Sequence, residues 1–427
     1  MSEGVTVTEI QEFLDRLAAP ACGSDPAAVI RQVAALERLK GAASAAQARR
    51  ALALHDGQVR RDRSRAIRPE QSTRSVGAEI ALARKESPRR GARFVRLARL
   101  LAADLPQVFA ALTAGAVSEY RAMLIARETS FLTPEHRRAL DAEIGPTLSG
   151  LSDQQARASA AAIAYRLDPQ AAIDRTSAAE TDRHVSVRPA PETMAILRAL
   201  LPARDGVAVW AALAAATATA RAAGDGRTRG QIMADTLVAR ITGRESTEPT
   251  PVELRLLVAE NTLHPDDPTP ARAEGYGPVP APLARQLIRV GATAIRRIYT
   301  RGGTIIAMDS TAAHFTPAQR DLIVLRDQIC RTPFCDAPIR HADHIRPRSA
   351  GGPTNLPNGQ GLCEGCNYLK EHPDWHTTAT DTGLDGTSHT TTITTPTGHR
   401  YQSHAPPPLG PGSNPPHESA AEHKKTG

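Results

Sequence analysis

Four cysteines near the carboxyl end are the feature that most constrains how this chain folds. They form two close pairs, Cys330 with Cys335 and Cys363 with Cys366, within a window of 37 residues. Close thiol pairs on tight turns supply the tetrahedral thiolate set that a structural zinc ion requires. In a reducing compartment zinc is favoured over two disulfides, and unmetallated core thiols are the remaining alternative. We therefore predict a zinc-braced domain around these pairs.

The rest of the chain is poor in aromatic residues. Only 3% of its 427 residues are Phe, Trp or Tyr, whereas 41% are hydrophobic. This composition favours a helical assembly over an aromatic-rich β-sandwich, and the length allows two or three domains. The sequence contains no stretch approaching the roughly 18 uncharged apolar residues of a membrane span. Acidic residues within positions 1–17 argue against a secretory signal, so we expect a cytoplasmic protein without membrane contact.

Residues 1–297 are predicted to form a mainly helical region of unknown function, suited to binding DNA or a partner. Apolar residues recur at helical spacing over most of it, including 194–201, whereas 184–188 alternates like a strand. We predict that 298–404 form a small α+β domain that holds the four cysteines and ends in a hairpin. Residues 405–427 are rich in proline and polar residues, which predicts a disordered tail.

Positive charge is concentrated in residues 31–99, which hold eighteen Arg or Lys and six Asp or Glu. A local excess of this size attracts polyanions, and nucleic acid is the commonest polyanion inside a cell. The alternative is that these arginines only solvate amphipathic helices. The pattern around Arg89, Arg90 and Arg93 fits either a DNA-reading helix-turn-helix or a plain helical hairpin. We keep these three arginines as candidate nucleic-acid contacts.

Between the cysteine pairs lie residues suited to phosphodiester hydrolysis. That reaction needs a base near an attacking water and a cation at the developing negative charge. His344 is the candidate base, because a neutral imidazole accepts a proton near pH 7. Its neighbour Asp343 offers a hard oxygen ligand suited to Mg²⁺ or Mn²⁺. The alternative for His344 is a surface histidine on a strand. His341 is interpreted as structural, with an extra metal or phosphate contact as its alternative.

Basic and aromatic residues surround this pair. Candidate phosphate contacts, which would position the substrate rather than read its sequence, are Arg340, Arg346, Arg348 and Lys370. Solvated surface charge is the alternative for each of them. Further along, Trp375 is predicted to pack in the small core, and its neighbours His372 and His376 to face solvent.

In order and spacing, these residues resemble the HNH endonuclease motif of the ββα-metal fold. The motif is carried by Asp343-His344-Ile345-x-Pro347, Gly351-Gly352, Asn358, Leu362-Cys363-x-x-Cys366-Asn367 and Lys370. The resemblance covers residues 326–376 and implies that Asn358 pins the loop that aims the base, with Asn355 as its competitor. It also implies that Asn367 opens the α element as a second oxygen ligand. The family usually has histidine there, which leaves the metal preference open, and Glu371 is a further candidate ligand.

Residues 27–310 resemble, more loosely, the domain of unknown function 222 that precedes such HNH modules. The supporting segments are Val76-Gly-Ala-Glu79, Ser87-Pro-Arg-Arg90, Leu105-Pro106 and Gly224-Asp-Gly-Arg-Thr-Arg-Gly-Gln231. This second resemblance implies no activity.

The sequence therefore predicts a metal-dependent endonuclease acting on double-stranded DNA, with a structural Zn²⁺ and one catalytic Mg²⁺ or Mn²⁺. The family implies products with a 5′-phosphate and a 3′-hydroxyl. A second hypothesis, supported by the basic stretch, is a non-catalytic zinc-containing DNA-binding protein. A third is a nuclease acting on RNA or single strands, which the low aromatic content disfavours. Neither the target sequence nor the oligomeric state follows from these patterns.

Overall fold

The structure, a computed structural model, describes nine stretches of the chain. These are residues 5–19, 25–243, 256–259, 261–274, 276–290, 300–301, 304–305, 314–381 and 388–407. The predicted domain boundary at 297/298 lies outside them, as does the predicted tail from residue 408 onwards. The described residues fall into two compact units. The first unit comprises Met1–Gly57 with Phe94–Asp174, and the second comprises Gln58–Arg93 with Arg175–Gly427.

The amino-terminal part is mainly helical, as predicted. Its described helices are α1 (Val7–Ala18), α2 (Pro26–Arg63), α3 (Pro69–Ala83), α4 (Pro88–Asp104), α5 (Pro106–Thr113), α6 (Glu119–Glu128), α7 (Pro134–Ile144), α8 (Asp153–Leu167) and α9 (Pro169–Thr181). Several begin with proline, whose fixed φ suits the first helical position. Side-chain oxygens of Ser118, Thr133 and Ser152 cap α6, α7 and α8. In the described part of the chain, no helix has an apolar run long enough to cross a membrane.

The core of the first unit is built from aliphatic side chains on successive helices. Fully buried members include Leu101, Leu105, Leu112, Ile125 and Leu140. The amino end of α5 lacks a side-chain cap of its own, and a buried carboxylate from α7 takes that role. The Asp141 oxygens accept the backbone N–H groups of Gln107 and Val108 at 2.7 and 3.0 Å. Tertiary packing thus satisfies donors that would otherwise be buried unpaired.

The second unit combines short helices with small antiparallel sheets. Its further described elements are β1 (His184–Ala190), β2 (Met194–Leu200), α10 (Ala203–Ala222), α11 (Arg229–Thr242), β3 (Leu256–Leu257), β4 (Ala271–Ala273), β5 (Gly277–Val279), α12 (Ala281–Val290), β6 (Thr300–Arg301), β7 (Thr304–Ile305), α13 (Pro317–Asp327), β8 (His341–His344), β9 (Gly359–Leu362), α14 (Glu364–Lys370), β10 (His376–Asp381), β11 (Thr390–Thr394) and β12 (Arg400–His404). The sheets are β1-β2, β3-β4-β5, β6-β7, β8-β9 and β10-β11-β12.

One predicted helix is wrong, because residues 194–201 begin as strand β2. This strand pairs with β1 in continuous register, from Ala190 opposite Met194 to His184 opposite Leu200. The turn between the strands holds two residues at positive φ. The backbone pairing with β1 therefore outweighs the helical preference of the Met, Ala and Leu side chains.

The carboxyl-terminal domain contains the predicted ββα unit. Strands β8 and β9 are antiparallel, with Asp343 opposite Gln360 and His344 opposite Gly359, and α14 follows directly. Buried Arg326, at the end of α13, donates to the Gly359 carbonyl at 2.7 Å, and Asp327 accepts the Gly361 N–H at 2.7 Å. These bonds fix the β9 backbone, so the strand opposite Asp343 and His344 is held in place from behind.

Candidate active site

The four predicted cysteines converge on one point. Their sulfur atoms all lie within 4.8 Å of one another. The sulfur of Cys335 lies 3.7 Å from that of Cys366 and 3.8 Å from that of Cys363. Four thiolates bonded to zinc at about 2.3 Å sit roughly 3.8 Å apart at the corners of a tetrahedron, so the spacing fits. Hydrogen bonds from Cys330 and Cys366 lower the pKa of Cys335 to about 4, favouring the thiolate that metals bind.

Two turns present these thiols. The first follows α13, where the Cys330 N–H donates to the Ala337 carbonyl and the Cys335 N–H to that of Thr332, both at 3.0 Å. The second is the start of α14, where Cys363 is the cap residue and Cys366 lies in the first turn. A metal held by all four sulfurs would tie the active-site helix to the loop after α13.

Asp343 and His344 lie side by side on β8. The His344 ring stacks on Phe315, with centroids 4.4 Å apart, and its Nε2 lies 3.0 Å from the Thr354 hydroxyl. Arg348 donates to the same hydroxyl at 2.9 Å. Burial lowers the pKa of His344, which favours the neutral imidazole that a general base requires. These contacts fix the ring, and in the tautomer whose Nε2–H donates to Thr354 the free Nδ1 is the nitrogen suited to take a proton.

Asn358 bridges the loop that follows β8. Its Oδ1 accepts the Arg346 N–H at 2.8 Å, while its Nδ2 donates to the carbonyls of Arg346 and Pro353 at 3.1 and 2.7 Å. Asn355 instead caps Asn358, accepting its N–H at 3.0 Å. A Cβ at Gly352 would collide with the Arg346 carbonyl, so only glycine fits there. The loop-pinning contacts thus belong to Asn358, the residue singled out from the sequence.

Helix α14 brings Lys370 to the predicted metal ligand. Its ammonium donates to the Asp343 carboxylate and to the His344 carbonyl, and the Gln360 amide lies 3.4 Å from the same carboxylate. The sequence predicts Lys370 as a phosphate contact, whereas in the structure its ammonium is bound to Asp343 and His344. Asn367 lies within α14, one turn before Lys370, rather than opening the helix, which starts at Glu364.

The remaining predicted side chains are spread over the surface. Exposed residues among them are Arg89, Arg90, Arg93, Arg340, Arg346, Arg348 and Glu371. Arg346 donates to the Ala350 carbonyl at 2.9 Å, and Arg90 lies 3.4 Å from Glu86. Arg348 is the one that reaches the candidate base, through the Thr354 hydroxyl. The two residues that sequence reasoning missed are Phe315 and Thr354, since no local pattern links either one to His344.

The prediction that His372 faces solvent is wrong, because its side chain is buried. Its Nε2 lies 3.4 Å from an oxygen of Asp62, and its Nδ1 accepts the Asp374 N–H at 3.3 Å. Asp62, His372 and Asp374 are close enough to share a metal ion. However, an Nδ1 that accepts a hydrogen bond leaves the proton on Nε2, which then donates to Asp62. Arg65 already pairs with Asp374 at 2.5 and 3.0 Å, so the group is a hydrogen-bonded network.

Comparisons with known proteins agree with the two resemblances. The Domain of unknown function (DUF222) family matches residues 33–327, and the HNH endonuclease family matches residues 328–372. "Uncharacterized protein Rv3776" of Mycobacterium tuberculosis is 33% identical over 162 residues, which cover 35% of this chain and 29% of that protein. "Uncharacterized protein Rv2100" of the same organism is 33% identical over 168 residues, covering 35% of this chain and 28% of that protein. The chain thus spans less than a third of these relatives. No solved structure matches it.

Proposed function

Because the chain belongs to the DUF222 family and carries an HNH endonuclease domain, we propose that it is a metal-dependent endonuclease that hydrolyses phosphodiester bonds of double-stranded DNA. The observation that carries this proposal is the arrangement of His344. A neutral imidazole, fixed on both sides, stands beside a carboxylate on the first strand of a ββα unit.

The residues suit one divalent cation near Asp343. A carboxylate and the amide oxygen of Asn367 are the hard donors that Mg²⁺ and Mn²⁺ prefer. The Lys370 ammonium pairs with the Asp343 carboxylate, so an ion bound there would take over the position of this ammonium. When bound, the ion would stabilise charge on the phosphate and on the leaving oxygen. Zn²⁺ at the four cysteines would be structural, since all four donors are protein thiols.

The chain's own residues perform the proton transfer. Thr354 engages His344 Nε2 and Phe315 restrains the ring, so that Nδ1 takes the proton of the attacking water. Asn358 holds the loop that carries Arg346, Arg348 and Thr354 in place behind the imidazole. Exposed arginines of that loop would position the DNA backbone.

Nicking of supercoiled plasmid tests the proposal. Zinc-loaded protein is assayed with Mg²⁺, Mn²⁺ or EDTA, and compared with His344→Ala, Asp343→Ala and the control His341→Ala from the same strand. We expect metal-dependent nicking that falls about 10²–10⁴-fold in His344→Ala, because loss of a general base has that effect. His341→Ala should cut normally. Folded, zinc-loaded His344→Ala that nicks at the wild-type rate would contradict the assignment.

One contact favours the alternative of a non-catalytic DNA-binding protein. The Lys370 ammonium pairs with the Asp343 carboxylate, the group that would otherwise serve as a metal ligand. Under this alternative, the wild-type protein shifts plasmid on a gel but cuts it with none of the divalent ions. Lys370→Met separates the two hypotheses. An enzyme should nick plasmid with a changed requirement for divalent ions in this variant, whereas a non-catalytic binding protein should still not nick.

A further inference from the structure

Residues 58–93, from the end of α2 to the start of α4, form the most basic segment of the second unit. They contain eleven Arg or Lys and four Asp or Glu, an excess of seven that equals the formal net charge of the whole chain, +7. Ten of the eleven basic side chains are exposed, whereas Glu70 is the only exposed acid. We call this segment the basic arm. Its outer surface is nearly free of negative charge.

Two of the four acids of the basic arm are turned inward, and a third, Glu86, lies 3.4 Å from both Arg84 and Arg90. Buried Asp62 accepts from Gln58 at 2.8 Å and from His372, and buried Glu79 accepts the Thr397 N–H at 3.1 Å. The Trp375 indole N–H donates to Ser75 at 2.7 Å. Asp62 and Glu79 thus hold the domain that carries the ββα unit, whereas most arginines of the arm are exposed.

Apolar packing makes the basic arm part of the same body. Ala78 and Leu82 of α3 share one buried cluster with Leu369, Trp375 and Ile393. Leu369 belongs to α14, so α3 packs directly behind the active-site helix. A helix fixed by this cluster and by the polar contacts of Ser75 and Glu79 has one defined position relative to α14.

Arg74 carries the basic surface to the active-site helix itself. Its guanidinium lies over the ring of Tyr368, 5.7 Å from the centroid. Tyr368 directly follows Asn367, the predicted metal ligand, and both Arg74 and Tyr368 are exposed. Arg68 is the N-cap residue of α3, six positions before Arg74 in the same helix.

We propose that the basic arm is a binding surface for the sugar-phosphate backbone of duplex DNA, with Arg74 as the phosphate contact nearest to the active-site helix. The choice of DNA rests on the proposed function. Arginine is suited to this role because its guanidinium stacks on an aromatic face while still donating to phosphate oxygens. DNA bound along the arm is thereby delivered to the ββα unit in one orientation.

The salt dependence of DNA binding tests this surface. Binding of a fluorescent duplex is measured from about 50 to 200 mM KCl, and each phosphate contact contributes about 0.9 to the slope of log K against log salt. We expect Arg68→Gln with Arg74→Gln to reduce the slope by about 1.8 and to weaken binding at low salt. Arg229→Gln is the matched control, because Arg229 also lies over an exposed aromatic ring, 5.8 Å from the Trp210 centroid.

Four outcomes decide the inference. The inference is supported if the slope is smaller in the double Gln variant but has the wild-type value in Arg229→Gln and in the double variant Arg68→Lys with Arg74→Lys. An unchanged slope, a loss of about 0.9 in the single variant Arg229→Gln, or a loss seen only with duplex RNA overturns it. Because these are binding measurements, they are independent of cleavage. If the wild-type protein never cuts plasmid, the proposed function is contradicted. If the double Gln variant nevertheless has a smaller slope than the wild type, the basic arm is still supported as a binding surface.

Discussion

At the residue scale, Thr354 determines how the His344 ring is presented. Its hydroxyl meets Nε2 at 3.0 Å and also accepts from Arg348 at 2.9 Å. Valine has nearly the same shape without the hydroxyl, so Thr354→Val leaves the ring stacked on Phe315 but without its polar partner. Since a hydrogen bond contributes about 1 kcal/mol, we expect kcat for plasmid nicking to fall about five- to tenfold, with KM nearly unchanged. Thr354→Ser should restore the rate, and a fully active valine variant would contradict this role.

A second single residue, His389, makes stability depend on pH. Burial lowers its pKa to about 4, while its Nε2 lies 3.0 Å from the Pro357 carbonyl. The unfolded chain has the ordinary histidine pKa of about 6.5, so below that pH the unfolded state binds the proton and the folded state does not. Its contribution is therefore complete above about pH 6.5 and is lost as the pH falls towards 4.

Urea unfolding measures this effect. Between about pH 7.5 and pH 5, the free energy of unfolding should fall by about 2 kcal/mol more in the wild type than in His389→Gln, which keeps a donor for Pro357 but does not titrate. Comparing the two proteins cancels the protonation of cysteines and carboxylates that they share. Equal losses in both would show that His389 does not carry the pH dependence.

At the scale of elements, the ββα unit follows from short-range sequence patterns. The cysteine pairs, the Asp343-His344 dyad and Asn358 all lie within one local stretch, and the resemblance of that stretch to the HNH motif implied both the strands and the loop contacts. The contacts of Phe315 and Thr354 with His344 could not be predicted, because ring stacking and hydroxyl contacts have no sequence period. Strand β2 was not predicted, because its side chains intrinsically prefer a helix and only the pairing with β1 makes the segment a strand. The position of Lys370 depends on how α14 crosses β8, which spacing does not encode.

At the scale of the whole molecule, the four cysteines stabilise the ββα unit but not the first unit. The first unit has its own aliphatic core, whereas the ββα unit depends on the thiols that join α14 to the loop after α13. We expect a strong chelator to abolish nicking and unfold the ββα unit, while hydrogen exchange in the core of Leu101 and Leu140 stays protected. Asp343→Ala is the control, because it should lose activity and keep zinc. Loss of protection throughout the chain would contradict this expectation.

The contact between Asp62 and His372 spans 310 positions of sequence. Pairings so distant form late, because the intervening chain has to be made and its loop closed first. During synthesis, the basic arm emerges long before the strands and helix that complete the cutting site. A nascent chain can thus meet a polyanion before it is able to cleave one, and chains interrupted before α14 carry the arm without its catalytic counterpart.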